Sequence, residues 1–251
     1  MRHLLTAAAA PPAIWCAVLL EHVSSSADSL SRDVLGVLAV DALLGVAALL
    51  VVAAPLMGVA AVTTPRGVTG TGRPVSRWRG ARHAVAAVAV LTGVSAALLV
   101  LAWGVGGDAG LGILRSHVTL TVAGLSLAAF GAACATWIRH PLDASLACLV
   151  VVVPVTAGVL AFGPVLEGLS PEGLERAMAA SPVAMAAVTA GVDLFRVDPF
   201  YQISPVAHVT ATYPDWRTAC QLYLLAAIVS CGGILIGSRV LAPAPILKGS
   251  L

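Results

Sequence analysis

Charge is scarce in this chain. Only 10% of its 251 residues are Asp, Glu, Lys or Arg, against about 25% in a soluble domain, and Lys248 is the single lysine. That scarcity excludes an ordinary solvated surface. The period-two alternation that marks membrane strands is also missing, which leaves helices to satisfy the backbone in lipid. No Walker A loop exists, because the pattern ends in Gly-Lys-Ser/Thr and Lys248 follows Pro245-Ile246-Leu247. The chain is therefore expected to hydrolyse no nucleotide itself. The six histidines show neither metal-ligand spacing nor a His-Glu-x-x-His pattern. Ser95 and Ser126 have no base beside them, so neither reads as a hydrolase nucleophile. The five cysteines (Cys16, Cys134, Cys148, Cys220 and Cys231) fall in or beside apolar runs without paired spacing, and read as small residues of helix packing. Together these absences predict no catalytic residue, no metal and no cofactor, and nothing points to a nucleic-acid partner.

What the chain has is hydrophobicity: 59% of residues are apolar and the mean hydropathy is +0.97. A spanning helix needs roughly 20 apolar residues. Six stretches qualify as spans, at about 4–20, 34–62, 84–105, 118–138, 144–163 and 218–238. The expected fold is all-α, a single polytopic membrane domain of six transmembrane helices. Arg2 and His3 ahead of the first run, with Ser25-Ser26-Ala27 after it, also fit a cleaved signal peptide. Cleavage leaves five spans in the same orientation.

The gaps between spans set that orientation. With the termini inside, Arg2, Arg66, Arg73, Arg77, Arg79, Arg82, Arg139, Arg239 and Lys248 face one acid, Asp143. The outer gaps hold five bases and ten acids, the latter concentrated after residue 163. The positive-inside rule then predicts cytoplasmic termini in a plasma-membrane protein. Trp103, Trp137 and Trp216 fall at span ends, where amphipathic rings prefer to sit.

Pro55 and Pro154 lie inside spans and predict kinks. Gly124, Ala128 and Ala132 share a small-residue face, as do Gly233 and Gly237. Such faces serve close packing within the chain or a dimer seam. Asp41 is the only carboxylate inside a span and lies near its outer boundary. It reads as a polar contact at the membrane boundary, or as a relay or substrate group. The inner segment 63–83, with Arg66, Arg73, Arg77, Arg79 and Arg82 among its glycines, reads as a loop touching lipid headgroups or as a docking surface.

The outer segment 164–216 is the least ordinary part. Ser181-Pro182 breaks its apolar run and leaves Val183–Phe195, too short to span. Met185, Val188, Val192 and Phe195 share one helical face there, with Thr189 and Asp193 pointing elsewhere. That predicts a short interfacial or re-entrant helix before the last span. The aromatic stretch beyond it, with Tyr201, Tyr213 and Trp216, reads as an interfacial anchor or, together with that helix face, as an outer gate.

This combination resembles the permease subunits of ABC-2-type exporters. Three stretches carry the resemblance: Ala54-Pro55 with Ala60 to Thr71, Leu125–Val155 around Trp137-Ile138-Arg139-His140, and Ala180-Ser181-Pro182-Val183 with Asp193-Leu194-Phe195-Arg196. The sequence departs from the family where Thr64-Pro65-Arg66 lacks flanking acids, and where only Met1–His3 precede the first span. The resemblance implies a homodimer or a second permease subunit, and cytoplasmic ATP-binding subunits docked near residues 64–82. It also implies an outer helix pair ahead of the last span. A membrane scaffold for a larger complex and an ion-coupled carrier using Asp41 are the alternatives.

Overall fold

The computed structural model describes residues 32–63, 109–138, 140–161, 168–191 and 213–240. The regular elements among them are all helices: α1 (Arg32–Thr63), α2 (Ala109–Trp137), α3 (Pro141–Ala161), α4 (Pro171–Ala180), α5 (Pro182–Thr189) and α6 (Trp216–Val240). The expected spans at 4–20 and 84–105 and the arginines of segment 64–83 lie outside the described residues. So do Val192, Phe195 and Tyr201.

Leu43–Thr63, Leu111–Trp137 and Trp216–Val240 are long and apolar enough to cross a membrane. Pro141–Thr156 forms a shorter apolar helix. Helices α1 and α6 match the expected spans within two residues at each end. Both internal prolines, Pro55 in α1 and Pro154 in α3, are accommodated within their helices.

Helix α2 corrects the expected span at 118–138, because its helix begins nine residues earlier. Arg115 and His117 belong to α2 and not to a connecting loop. The physical reason is tertiary. A charged residue ends a hydropathy run, but it does not end a helix whose first turns are packed. At Gly112 an added Cβ would lie 2.8 Å from the Thr189 carbonyl oxygen, so the end of α5 rests on the start of α2. The Ser116 hydroxyl makes the same join, donating to the Ala186 carbonyl at 2.9 Å.

Helix α2 is the centre of the described bundle, with α1 and α6 as its largest neighbours and α3 and α5 also against it. The α1–α2 crossing is made backbone to backbone. A Cβ on Gly58 would be driven into the Ala128 carbonyl, and one on Gly131 into the Pro55 carbonyl. Above this crossing Leu43, Ala47, Leu50 and Ala54 of α1 pack on Ile113, Leu120 and Ala128 of α2 and on Ala186 of α5. Lipid tails are as apolar as leucine, so such contacts stabilise through dispersion and close fit rather than through escape from water. Both small-residue faces are used inside the chain. Ala128 and Ala132 receive Gly58, while Gly233 and Gly237 receive Trp137 and Thr136. The Trp137 indole N–H also donates to the Gly233 carbonyl at 3.1 Å. Turned away from the bundle are Leu225, Ile228, Val229 and Ile236 of α6 and Leu142, Leu146 and Val150 of α3. These apolar rows suit a lipid surface.

Candidate functional site

The short helices α4 and α5 are the part of the described structure most unlike a plain bundle. Each starts with the same local chemistry, a capping serine followed by proline at the first helical position. Such a serine satisfies an orphan N–H, and the proline loses nothing there because its missing N–H has no helical partner. Ser170 Oγ accepts from the Gly173 N–H at 3.1 Å, and Ser181 Oγ accepts from the Ala184 N–H at 3.3 Å. Ser181 itself is extended, at φ −91° and ψ 110°, which separates the two helices. The Glu172 carboxyl is held below the usual carboxylate range. Its own backbone N–H is the main cause, the Ser170 hydroxyl the next, and the charge of Arg176 adds to them.

Helix α5 corrects the expected helix over Val183–Phe195. Its last turn closes at Ala190, where the N–H bonds back to the Ala186 carbonyl at 3.0 Å, and Gly191 turns the chain at φ 86°. That left-handed conformation suits glycine, which has no Cβ to clash. Within α5 and its cap, Ser181, Pro182, Ala184, Met185, Ala186 and Ala187 are all buried. An amphipathic helix lying on a surface would bury one face only. Helix α5 instead contacts α1, α2, α3 and α6. Its N-terminus is tied by the Ser181 hydroxyl, which donates to the Thr156 carbonyl of α3. Its C-terminal half is tied by Ser116 of α2. From the sequence Ser181 stood out only as the break before Pro182, and Ser116 not at all. Ser181 carried a readable signal in the proline after it; Ser116 carried none.

Of the expected gate residues, the structure brings Met185 and Trp216 together. Met185 is fully buried among Ala123, Ala219 and Tyr223, with Val122 and Trp216 packed on the same cluster. Trp216 is the first residue of α6, and the Arg217 guanidinium lies 5.7 Å from its ring centroid. Val188 is half-buried on α5, and Tyr213 is exposed. The buried Tyr223 hydroxyl has no hydrogen-bond partner among the described residues. Asp41 lies on α1. No group of three or more metal-ligating side chains occurs among the described residues.

Compared with known protein families, with curated proteins and with solved structures, the chain has no match. Its class therefore rests on its own helices: the regular elements among the described residues are all α-helices, three of them long and apolar enough to cross a membrane, with a short helix pair packed against the long helices.

Proposed function

We propose that this chain is the membrane-spanning permease subunit of an ABC-2-type export system, energised by a separate ATP-binding subunit. The observation that carries the reading is the α4–α5 pair, which precedes α6 among the described elements, with α5 buried among α1, α2, α3 and α6. In this reading the chain has six spans and cytoplasmic termini in the plasma membrane. The helix pair enters from the outer side and closes the outer end of the path, with Met185 and Trp216 at its centre. Two permease subunits, identical or related, would form the pathway. Arg66, Arg73, Arg77, Arg79 and Arg82 would receive the ATP-binding subunit. Energy has to come from such a partner, because the sequence has no nucleotide loop and only Asp41 as a carboxylate within a span.

Purification from native membranes in mild detergent tests the proposal. An ATP-binding subunit is expected to accompany the protein, and reversing charge at Arg73, Arg77 and Arg79 should release it and abolish ATP-dependent export. If no ATP-binding subunit comes with it, the reading fails. If charge reversal disrupts a larger assembly while ATP-driven export continues, the chain is a scaffold.

A further inference from the structure

One buried hydroxyl is left over where α2, α5 and α6 meet. Tyr223 is 5% exposed and shares a cluster with Ala123 of α2, Met185 of α5 and Ala219 of its own helix, with Val122 and Trp216 packed on the same cluster. Its hydroxyl has no hydrogen-bond partner among the described residues. A buried tyrosine hydroxyl usually finds one, and leaving it unpaired costs stability that a phenylalanine would not lose. The nearby hydroxyl and thiol are already engaged. Thr119 Oγ1 donates to the Arg115 carbonyl at 2.9 Å and accepts from the Cys220 thiol at 3.7 Å. Aromatic side chains on a helix lean toward its N-terminus, so the Tyr223 ring leans over Ala219 toward Trp216 at the start of α6.

We propose that the α2–α5–α6 junction is a binding site for an uncharged, largely apolar small molecule whose carbonyl or ether oxygen accepts a hydrogen bond from the Tyr223 hydroxyl. The surroundings select that class. Methyl and thioether groups supply the contact area and a single donor sets the orientation, which is the usual make-up of a small-molecule site. A charged ligand would shed its hydration with no opposite charge in the cluster to offset the loss. Asp215 and Arg217, on either side of Trp216, are exposed, and the Arg217 guanidinium lies against the indole ring. Met185 fills the site in this structure and is fully buried. Its unbranched side chain has three rotatable bonds, and its cluster neighbours Ala123 and Ala219 are small, so turning Met185 aside makes the room. The ligand thus replaces the Met185 contact and satisfies the leftover hydroxyl in one event. The inference rests on the packing of three helices and not on the export reading. A chain that binds such a molecule but brings no ATP-binding subunit keeps the site and loses that function.

The test uses the full chain in lipid nanodiscs and benzophenone, an apolar probe whose one polar group is a neutral carbonyl and whose photoexcited ketone couples to C–H groups beside it. Peptide mass spectrometry should place the label at Met185 and on the α6 segment 219–223. Dicyclohexyl ketone and dicyclohexylmethane, which differ only at the carbonyl, then compete for that labelling. With the wild-type chain the ketone should compete about tenfold better, the scale of one net hydrogen bond. In Tyr223→Phe that advantage should vanish while the thermal midpoint stays at or above the wild-type value. Both proteins sit in the same bilayer, so partitioning into lipid cancels in the comparison. The proposal is overturned if the label falls only on the outward apolar rows, or if the ketone keeps its advantage in Tyr223→Phe. Loss of folding in Tyr223→Phe would overturn it too, since the hydroxyl would then have a structural partner.

Discussion

Replacing Gly58 by alanine is expected to destabilise the protein by about 3 kcal/mol, the upper part of the usual overpacking range. The sign is the informative part, since alanine in an open helical position is better than glycine by about 1 kcal/mol. At Gly58 the new methyl has nowhere to go: the Ala128 carbonyl occupies its place, and the Ala132 nitrogen is 2.8 Å away. Neither is a flexible side chain, so α1 and α2 must separate along the crossing. Gly131→Ala should cost as much, because it meets the Pro55 carbonyl at the same crossing. The two losses should not add, since one separation relieves both. Gly45 is the internal control, on the same helix but with nothing within 4 Å of an added Cβ. Gly45→Ala should be neutral or slightly stabilising. Thermal unfolding of the purified variants in detergent reads all four; equal midpoints for Gly58→Ala and Gly45→Ala would mean the helices do not approach this closely.

Truncating Met185 should have the next largest effect. Its side chain is fully buried in one cluster with Ala123 of α2 and Ala219 and Tyr223 of α6, on which Trp216 also packs. In soluble cores Met→Ala costs about 2–5 kcal/mol, as a transfer term plus a cavity term. In lipid much of the transfer term disappears, because the acyl chains are as apolar as the core. What remains is the cavity, and the expected loss is about 2 kcal/mol, at the low end of that range. Met185→Leu keeps most of the volume and should cost under about 1.5 kcal/mol. A Met185→Ala protein that unfolds at the wild-type temperature would show that α5 does not depend on this contact.

Much of the long-helix plan was legible because lipid imposes a simple demand, a run of apolar residues with its own backbone satisfied. That demand located α1 and α6 to within two residues, and a helix, Pro141–Ala161, lies over most of the expected span at 144–163, its described apolar part shorter than a span. It failed where packing, not hydropathy, decides. Arg115 ended the apolar run but not α2, since Gly112 and Ser116 are held by α5. Read from the residues alone, Pro164–Arg176 was polar and acidic and the stretch from Ala177 apolar. Ser170-Pro171, a capping serine with proline after it, was the available sign of α4. The helix carrying Met185 and Val188 ends at Thr189, and Gly191 takes a positive φ just beyond it. At the candidate site, the placing of Met185 and Trp216 in one cluster depends on how α5 and α6 both meet α2, and spacing along the chain carries no such information. The small-residue faces were visible as faces. Which partner each would take required the crossing itself.

Accessibility of the short helix pair tests the central claim most directly. Arg176 is exposed on α4, while Ala186 of α5 is fully buried in the bundle. Each is replaced singly by cysteine, and intact cells are treated with a membrane-impermeant maleimide. Labelling at the introduced cysteine is then read by peptide mass spectrometry. The account predicts rapid labelling of Arg176→Cys from outside, and protection of Ala186→Cys until the protein is denatured. Equal labelling of the two from outside would contradict the seating of α5 among the long helices. Labelling of Arg176→Cys only after the cells are opened would contradict the proposed orientation.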